Sequence, residues 1–236
     1  ATTANKPILR RGLLNQLLWS SDLTNAAYSL DMSGAALPVV TANAGIDPAG
    51  NLTADRLVLN KTGGAFSRIA QSVVASVGQP YTMAVWMKTY AGGTANVGIR
   101  LDSTGSNQLV TSAWTLSAIS ATATIGATSV QILLFDSIIG NDETADILVG
   151  GIGLFQGTYT AQQIIDAGGI PLTTTAAASN PNAGKYWWQF DGSNDSLSLS
   201  APLFQMSDDH AVIAGFNASA VGVYVFSHTN TSTGVH

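Results

Sequence analysis

The sequence predicts an all-β protein, built of antiparallel sandwiches or barrels with one short connecting helix. Three observations carry that reading: apolar and polar residues alternate over short segments, turn residues separate those segments, and no helical crossover lies between them. The clearest strand is 81–88, which places Tyr81, Met83, Val85 and Met87 on one face and Thr82, Ala84, Trp86 and Lys88 on the other. Segments 53–59, 66–74, 97–101, 129–135, 145–149 and 152–155 read as further strands. Turns are signalled at 47–50, 61–64, 92–93 and 103–106.

The helix is predicted from Thr160-Ala-Gln-Gln163, a capping box in which the Thr160 hydroxyl takes the Gln163 amide and Gln163 reaches back. Gly168-Gly169 supply the stop and Pro171 follows, so a connector helix is expected at about 160–168. A polar stretch rich in Ala, Thr and Asn runs from Thr173 to Gly184, and a second strand region follows at 186–190, 196–200 and 211–216.

Composition restricts the function classes. Of 236 residues, 46% are hydrophobic, enough for a sizeable core, while only 10% are charged. The usual share of charged residues is about a quarter. A surface of hydroxyls and amides suits a secreted or virion protein, or one that buries surface against its own copies. The net charge of −5 argues against nucleic-acid binding, which needs a clustered basic footprint. No apolar run approaches the length of a bilayer span, and no cysteine is present for a disulfide or thiolate site. The opening Thr/Ala/Asn stretch without a Met is read as that of a fragment.

No catalytic constellation stands out. Glu143 is the only glutamate and sits in a turn signal, whereas glycosidases face two carboxylates across a cleft. No nucleophile elbow is present. His210 beside Asp208 and Asp209 could serve a metal or acid–base site, but Asp208-Asp209 reads first as a turn. The protein is therefore expected to be no enzyme, with no cofactor other than a structural Ca²⁺. The calcium candidates are Asp47, Asp142, Asp146 and above all Asp191 and Asp195, whose Asx-rich run also reads as a hairpin turn. Flat aromatic rings can stack on a sugar face. Trp86 and nearby Tyr90 lie on the more polar side of their strand, and Trp114 lies in an outer stretch, so these three are the candidate carbohydrate-binding residues; for each, a packing role is the alternative.

Segments 19–28, 40–43, 47–50 and 53–57, with the strand 81–88, resemble the jelly-roll domains of bacteriophage tail-fibre and virion appendage proteins, which are similar to carbohydrate-binding modules. Segment 186–199, with Phe190-Asp-Gly-Ser-Asn-Asp195 inside it, resembles the first strands of concanavalin A-like (laminin-G-like) lectin domains. The resemblance implies a jelly-roll β-sandwich at 12–157, a helix and linker at 158–184, and a partial lectin-like sandwich at 185–236. Segment 1–9 resembles the piece that precedes the Phe-Asp-Gly strand in such lectins. It is read either as part of that second domain, with the jelly roll inserted between, or as an arm.

The function this implies is a non-enzymatic virion component: a fibre, appendage or capsid decoration, located on the extracellular particle and able to bind host-surface glycans. Its expected partners are other virion proteins and further copies of itself, with a trimer implied by resemblance to phage fibres. The alternative is a secreted carbohydrate-binding module of a glycan-degrading protein.

Overall fold

The computed structural model describes residues 13–170 in full, together with the backbone of 8–11 and 186–189. All of these fall in the first of the chain's two compact units, Ala1–Asp195. The strands are β1 (Ile8–Arg11), β2 (Ser29–Ser33), β3 (Ala36–Gly45), β4 (Ala54–Asn60), β5 (Phe66–Val74), β6 (Pro80–Thr89), β7 (Ala95–Leu101), β8 (Thr104–Val110), β9 (Thr115–Thr122), β10 (Ala127–Phe135), β11 (Thr144–Gln156) and β12 (Tyr186–Gln189). One helix, α1 (Ala161–Asp166), follows β11.

Ten strands form two five-stranded antiparallel sheets: sheet I in the order β2-β5-β10-β7-β8 and sheet II in the order β3-β4-β11-β6-β9. Only β3–β4 and β7–β8 are hairpins within a sheet; every other sequential link between β2 and β11 crosses from one sheet to the other. That alternation makes the unit a jelly-roll β-sandwich. A separate antiparallel ladder pairs β1 with β12, setting Leu9 against Trp188 and Arg10 against Trp187.

The core between the sheets follows from strand periodicity. Tyr81, Met83, Val85 and Met87 all point inward, against Val97, Ile99 and Leu101 of β7 and Val130, Ile132 and Leu134 of β10. In β11 the inward residues are Ala145, Ile147 and Val149, and then Ile152 and Leu154. The phase changes because the register to β6 shifts between Val149 and Ile152, a bulge that adds one residue at Gly150-Gly151. A pattern that changes phase reads in sequence as two strands. It is one strand of 13 residues, the longest of the sandwich.

The helix has the expected box: the Gln163 amide donates to Thr160 Oγ1 at 3.2 Å, and the Thr160 amide to Gln163 Oε1 at 2.8 Å. Its role goes beyond connection. Ile164 is fully buried and packs with Ala84, Leu116, Phe155 and Ile170 on the outer face of sheet II. Thr82 ties the approach to the helix, accepting the Tyr159 amide at 2.9 Å and donating to the Gly157 carbonyl at 2.8 Å. The side of β6 that reads as polar is therefore covered over its first half.

One turn assignment changes. The predicted turn at 103–106 is mostly strand: Asp102-Ser103 is the turn, with Asp102 at φ 53°, and β8 begins at Thr104. The Asp102 carboxylate makes that conformation tolerable by accepting the Ser129 amide at 2.8 Å and the Thr128 hydroxyl at 2.9 Å. The second strand region beyond β12, and with it the lectin-like sandwich, lies outside the described residues.

Candidate functional site

The outer face of sheet II carries the three aromatic residues singled out in the sequence. Ladder pairing builds this surface. Leu148 of β11 stands opposite Arg56 of β4 on one side and Lys88 of β6 on the other. One step along, Asp146 stands opposite Val58, and its carbonyl accepts the Tyr90 amide at 3.1 Å.

Charged groups on this face hold the rings. Arg56 grips Asp146 with two bonds, Nε to Oδ1 at 2.8 Å and a terminal nitrogen to Oδ2 at 2.7 Å. Its guanidinium lies 4.1 Å from the centre of the Tyr90 ring. The bonds to Asp146 raise the Arg56 pKa further, so the cation over the ring is permanent. Lys88 Nζ lies 5.0 Å from the Trp114 ring centre. Tyr90 is 44% exposed, whereas Trp114 and Trp86 are half-buried.

Trp114 and Pro48 meet above Gly150. A Cβ at that position would sit 2.5 Å from Pro48 Cδ and 3.1 Å from Trp114 Cη2, so the absence of a side chain lets two loops close over β11. Beyond Pro48, an open cleft of about 180 Å³ runs between Trp86, Pro48 and Gly168-Gly169. The surface thus presents Tyr90, Trp114 and Trp86 in one strip, with Arg56, Asp146 and Lys88 as polar groups between them. Trp86 stands at the margin of the helix packing rather than in the open.

The loop that carries Pro48 is fixed by Asp47. This nearly buried carboxylate accepts the amides of Ala49 and Asn51, each at 2.8 Å, and the Thr53 hydroxyl at 2.6 Å. Burial alone would raise its pKa; the hydrogen bonds outweigh burial and hold it below the ordinary carboxylate value. Because the folded value is depressed, the unfolded chain binds the proton more readily. The loop's contribution to stability is complete above about pH 4 and is lost as pH falls through the depressed folded value. Unfolding curves of wild type and Asp47→Asn across this range should converge in acid and separate at neutral pH, with the wild type more stable. Parallel curves at all pH values would refute the role of this carboxylate.

Three of the calcium candidates are occupied by protein donors: Asp47 as above, Asp146 by Arg56, and Asp142 by the Asn96 amide at 2.7 Å and the Asn96 side chain at 3.2 Å. Among the described residues no group of three metal-ligating side chains comes together. Asp191, Asp195, Asp208, Asp209 and His210 lie outside the described residues. Glu143 accepts Lys61 Nζ at 2.8 Å, and Lys61 also bonds Asp136 at 2.8 Å. No helix of the described residues is long and apolar enough to cross a membrane.

Arg56, Pro48 and Gly150 were not legible as site residues, and Asp146 was legible only as a calcium candidate. Each comes from a different position in the chain, and only the β4–β11–β6 ladder and the bulge bring them beside the aromatic rings.

No protein-family model matches the chain, and no curated protein matches it. Among solved structures, it is similar to the enzymatically active domain of tailspike protein 4 of bacteriophage CBA120, at 17% identity and a TM-score of 0.45, over 61% of this chain and 22% of that one. It is also similar to TmCBM61, solved with β-1,4-galactotriose, at 12% identity and a TM-score of 0.43, over 61% of this chain and 99% of that one. A third is the CBM22-1 xylan-binding domain from Paenibacillus barcinonensis Xyn10C, at 14% identity and a TM-score of 0.43, over 64% of this chain and 99% of that one.

Proposed function

We propose that the sandwich is a non-enzymatic carbohydrate-binding module whose ligand lies along the outer face of sheet II. The observation that carries this is the strip of Tyr90, Trp114 and Trp86 on a single sheet face, interleaved with Arg56, Asp146 and Lys88. Rings offer apolar faces to the C–H side of a pyranose, and the charged groups between them suit its hydroxyls. The absence of catalysis is supported by the chemistry of this face: its carboxylate, Asp146, is held by Arg56 and faces no second carboxylate among the site residues described.

Context belongs to the same proposal. The resemblance of segments 19–57 and 81–88 to phage fibre and appendage proteins and the low share of charged residues favour a virion component, working as a homo-oligomer alongside other virion proteins. A secreted module of a glycan-degrading protein would use the same face. Neighbouring capsid and tail genes would favour the first, and a glycosidase domain on the same chain the second.

The binding proposal is tested by titrating the full chain with neutral gluco-, galacto-, manno- and xylo-oligosaccharides, read by calorimetry and tryptophan fluorescence. At least one should bind, and Trp114→Ala and Tyr90→Ala should each weaken it about tenfold, since a stacked ring is worth about 1 kcal/mol or more beyond its buried area. Binding by neither the wild type nor any variant, or variants indistinguishable from wild type, would overturn it.

A further inference from the structure

A second open cleft, of about 550 Å³, lies on the other sheet. It opens on the outer face of sheet I between the β7–β8 hairpin and the loop after β10, and its lining includes Arg100, Ser103, Ser106, Phe135, Ser137 and Ile138. We infer that this cleft is a second binding site, specific for a carboxylate-bearing saccharide, with Arg100 as the group that recognises the carboxylate.

The distribution of charge singles out Arg100. Residues 13–170 contain five cations: Arg56, Lys61, Arg68, Lys88 and Arg100. Arg56 pairs with Asp146, Lys61 with Asp136 and Glu143, and Arg68 with Asp31. Lys88 and Arg100 pair with no carboxylate among the described residues. Lys88 belongs to the sheet II face. Among the described residues, Arg100 alone brings an uncompensated charge to the sheet I cleft, in a chain whose net charge is −5. The acid nearest in sequence, Asp102, has both carboxylate oxygens engaged by Thr128 and Ser129.

The guanidinium is also preorganised. Arg100 Nε donates to the Asp102 carbonyl at 2.6 Å, which fixes the guanidinium while leaving its two terminal nitrogens without a bond to any described residue. The guanidinium lies 5.4 Å from the Phe135 ring centre. That ring is itself fixed edge-on against Phe66, at 6.0 Å between centres and 89° between planes. A planar fork held in place matches a carboxylate in two-bond geometry.

The rest of the lining suits a sugar. Phe135 and Ile138 supply apolar surface, and Ser103, Ser106 and Ser137 supply hydroxyls. Cation, apolar wall and hydroxyls together describe a sugar acid better than a bare inorganic anion, which would leave the apolar wall unused.

This site does not depend on the sheet II reading, and the test separates the two. The full chain is titrated with tri-galacturonate, a glucuronate oligosaccharide and sialyllactose, each beside its methyl ester, at low and moderate salt. At least one acid should bind, weaken as salt rises, and bind about tenfold or more better than its ester. Arg100→Gln should lose about tenfold for the acid, and Arg100→Lys should recover only part, because a lysine lacks the fork. Ser137→Trp, at an exposed loop position, should block the cleft while leaving Arg100 unchanged, which covers the case of a poorly folded Arg100 variant. Trp114→Ala should leave acid binding unchanged. Equal affinity for acid and ester, full binding by Arg100→Gln and Ser137→Trp, or binding of none of the three acids would overturn the inference.

Discussion

Replacing Phe155 with alanine is expected to cost about 3–5 kcal/mol, as for other fully buried phenylalanines. The ring belongs to no part of the core between the sheets. It lies on the outer face of sheet II, fully buried among Ala84, Leu116, Ile164 and Ile170. Packing there is tight: a Cβ at Gly153 would come within 2.6 Å of the ring. Removing the ring opens a cavity under α1, a helix of six residues. So short a helix holds its shape by tertiary packing rather than by its own propensity. Urea unfolding measures the loss, and limited proteolysis should find new cleavage within 157–170. A change below about 1 kcal/mol, with the segment still protected, would show that the capping box and Thr82 suffice to seat the helix.

A second large effect is expected at Gly64. A Cβ there would meet the Ser33 carbonyl oxygen, the Ala35 nitrogen and the Gly34 carbonyl carbon within 2.4–2.5 Å. These are backbone atoms in the turn between β2 and β3, and no side-chain rotation relieves the overlap. The two turns are also bonded, with the Ala65 amide donating to the Ser33 carbonyl at 2.8 Å. Gly64→Ala should therefore cost about 3 kcal/mol, at the upper end for overpacking, because the β2–β3 turn has to move away. Gly63→Ala is the control for crowding: a Cβ there meets nothing within 4 Å, and its cost comes from the positive φ of 75°. That cost is about 1 kcal/mol. Equal losses at the two positions, measured by thermal or urea unfolding, would refute the close-contact account.

The division between what could be read and what could not follows the sheet architecture. β4, β5, β6, β7 and β10, with both halves of β11, are legible because interior strands carry strong apolar alternation. Within the two five-stranded sheets, the strands absent from the sequence reading are β2, β8, β3 and β9, which are the four edges. An edge strand has one neighbour and a largely solvated surface, so β3 leaves Leu37 and Val39 exposed and β8 is built mostly of polar and small residues. Local pattern cannot specify such strands; pairing to the adjacent interior strand does. The same limit applies to the site. Tyr90, Trp86 and Trp114 could be named because a large ring on a polar stretch is a local signal. Their partners could not, since Arg56 meets Asp146 across 90 positions of chain and Pro48 meets Trp114 only over Gly150. The cleft around Arg100 left no sequence trace at all. An arginine in an alternating strand reads as a solvated residue, and its lack of a carboxylate partner among the described residues is a property of the folded charge arrangement alone. The β class, the interior core faces and the helix cap are specified locally, because each depends on neighbours within a few residues. Tertiary structure decided the edges, the bulge that joins two apparent strands, the seating of α1 on sheet II and both candidate binding surfaces, because each depends on contacts that exist only once distant strands have paired.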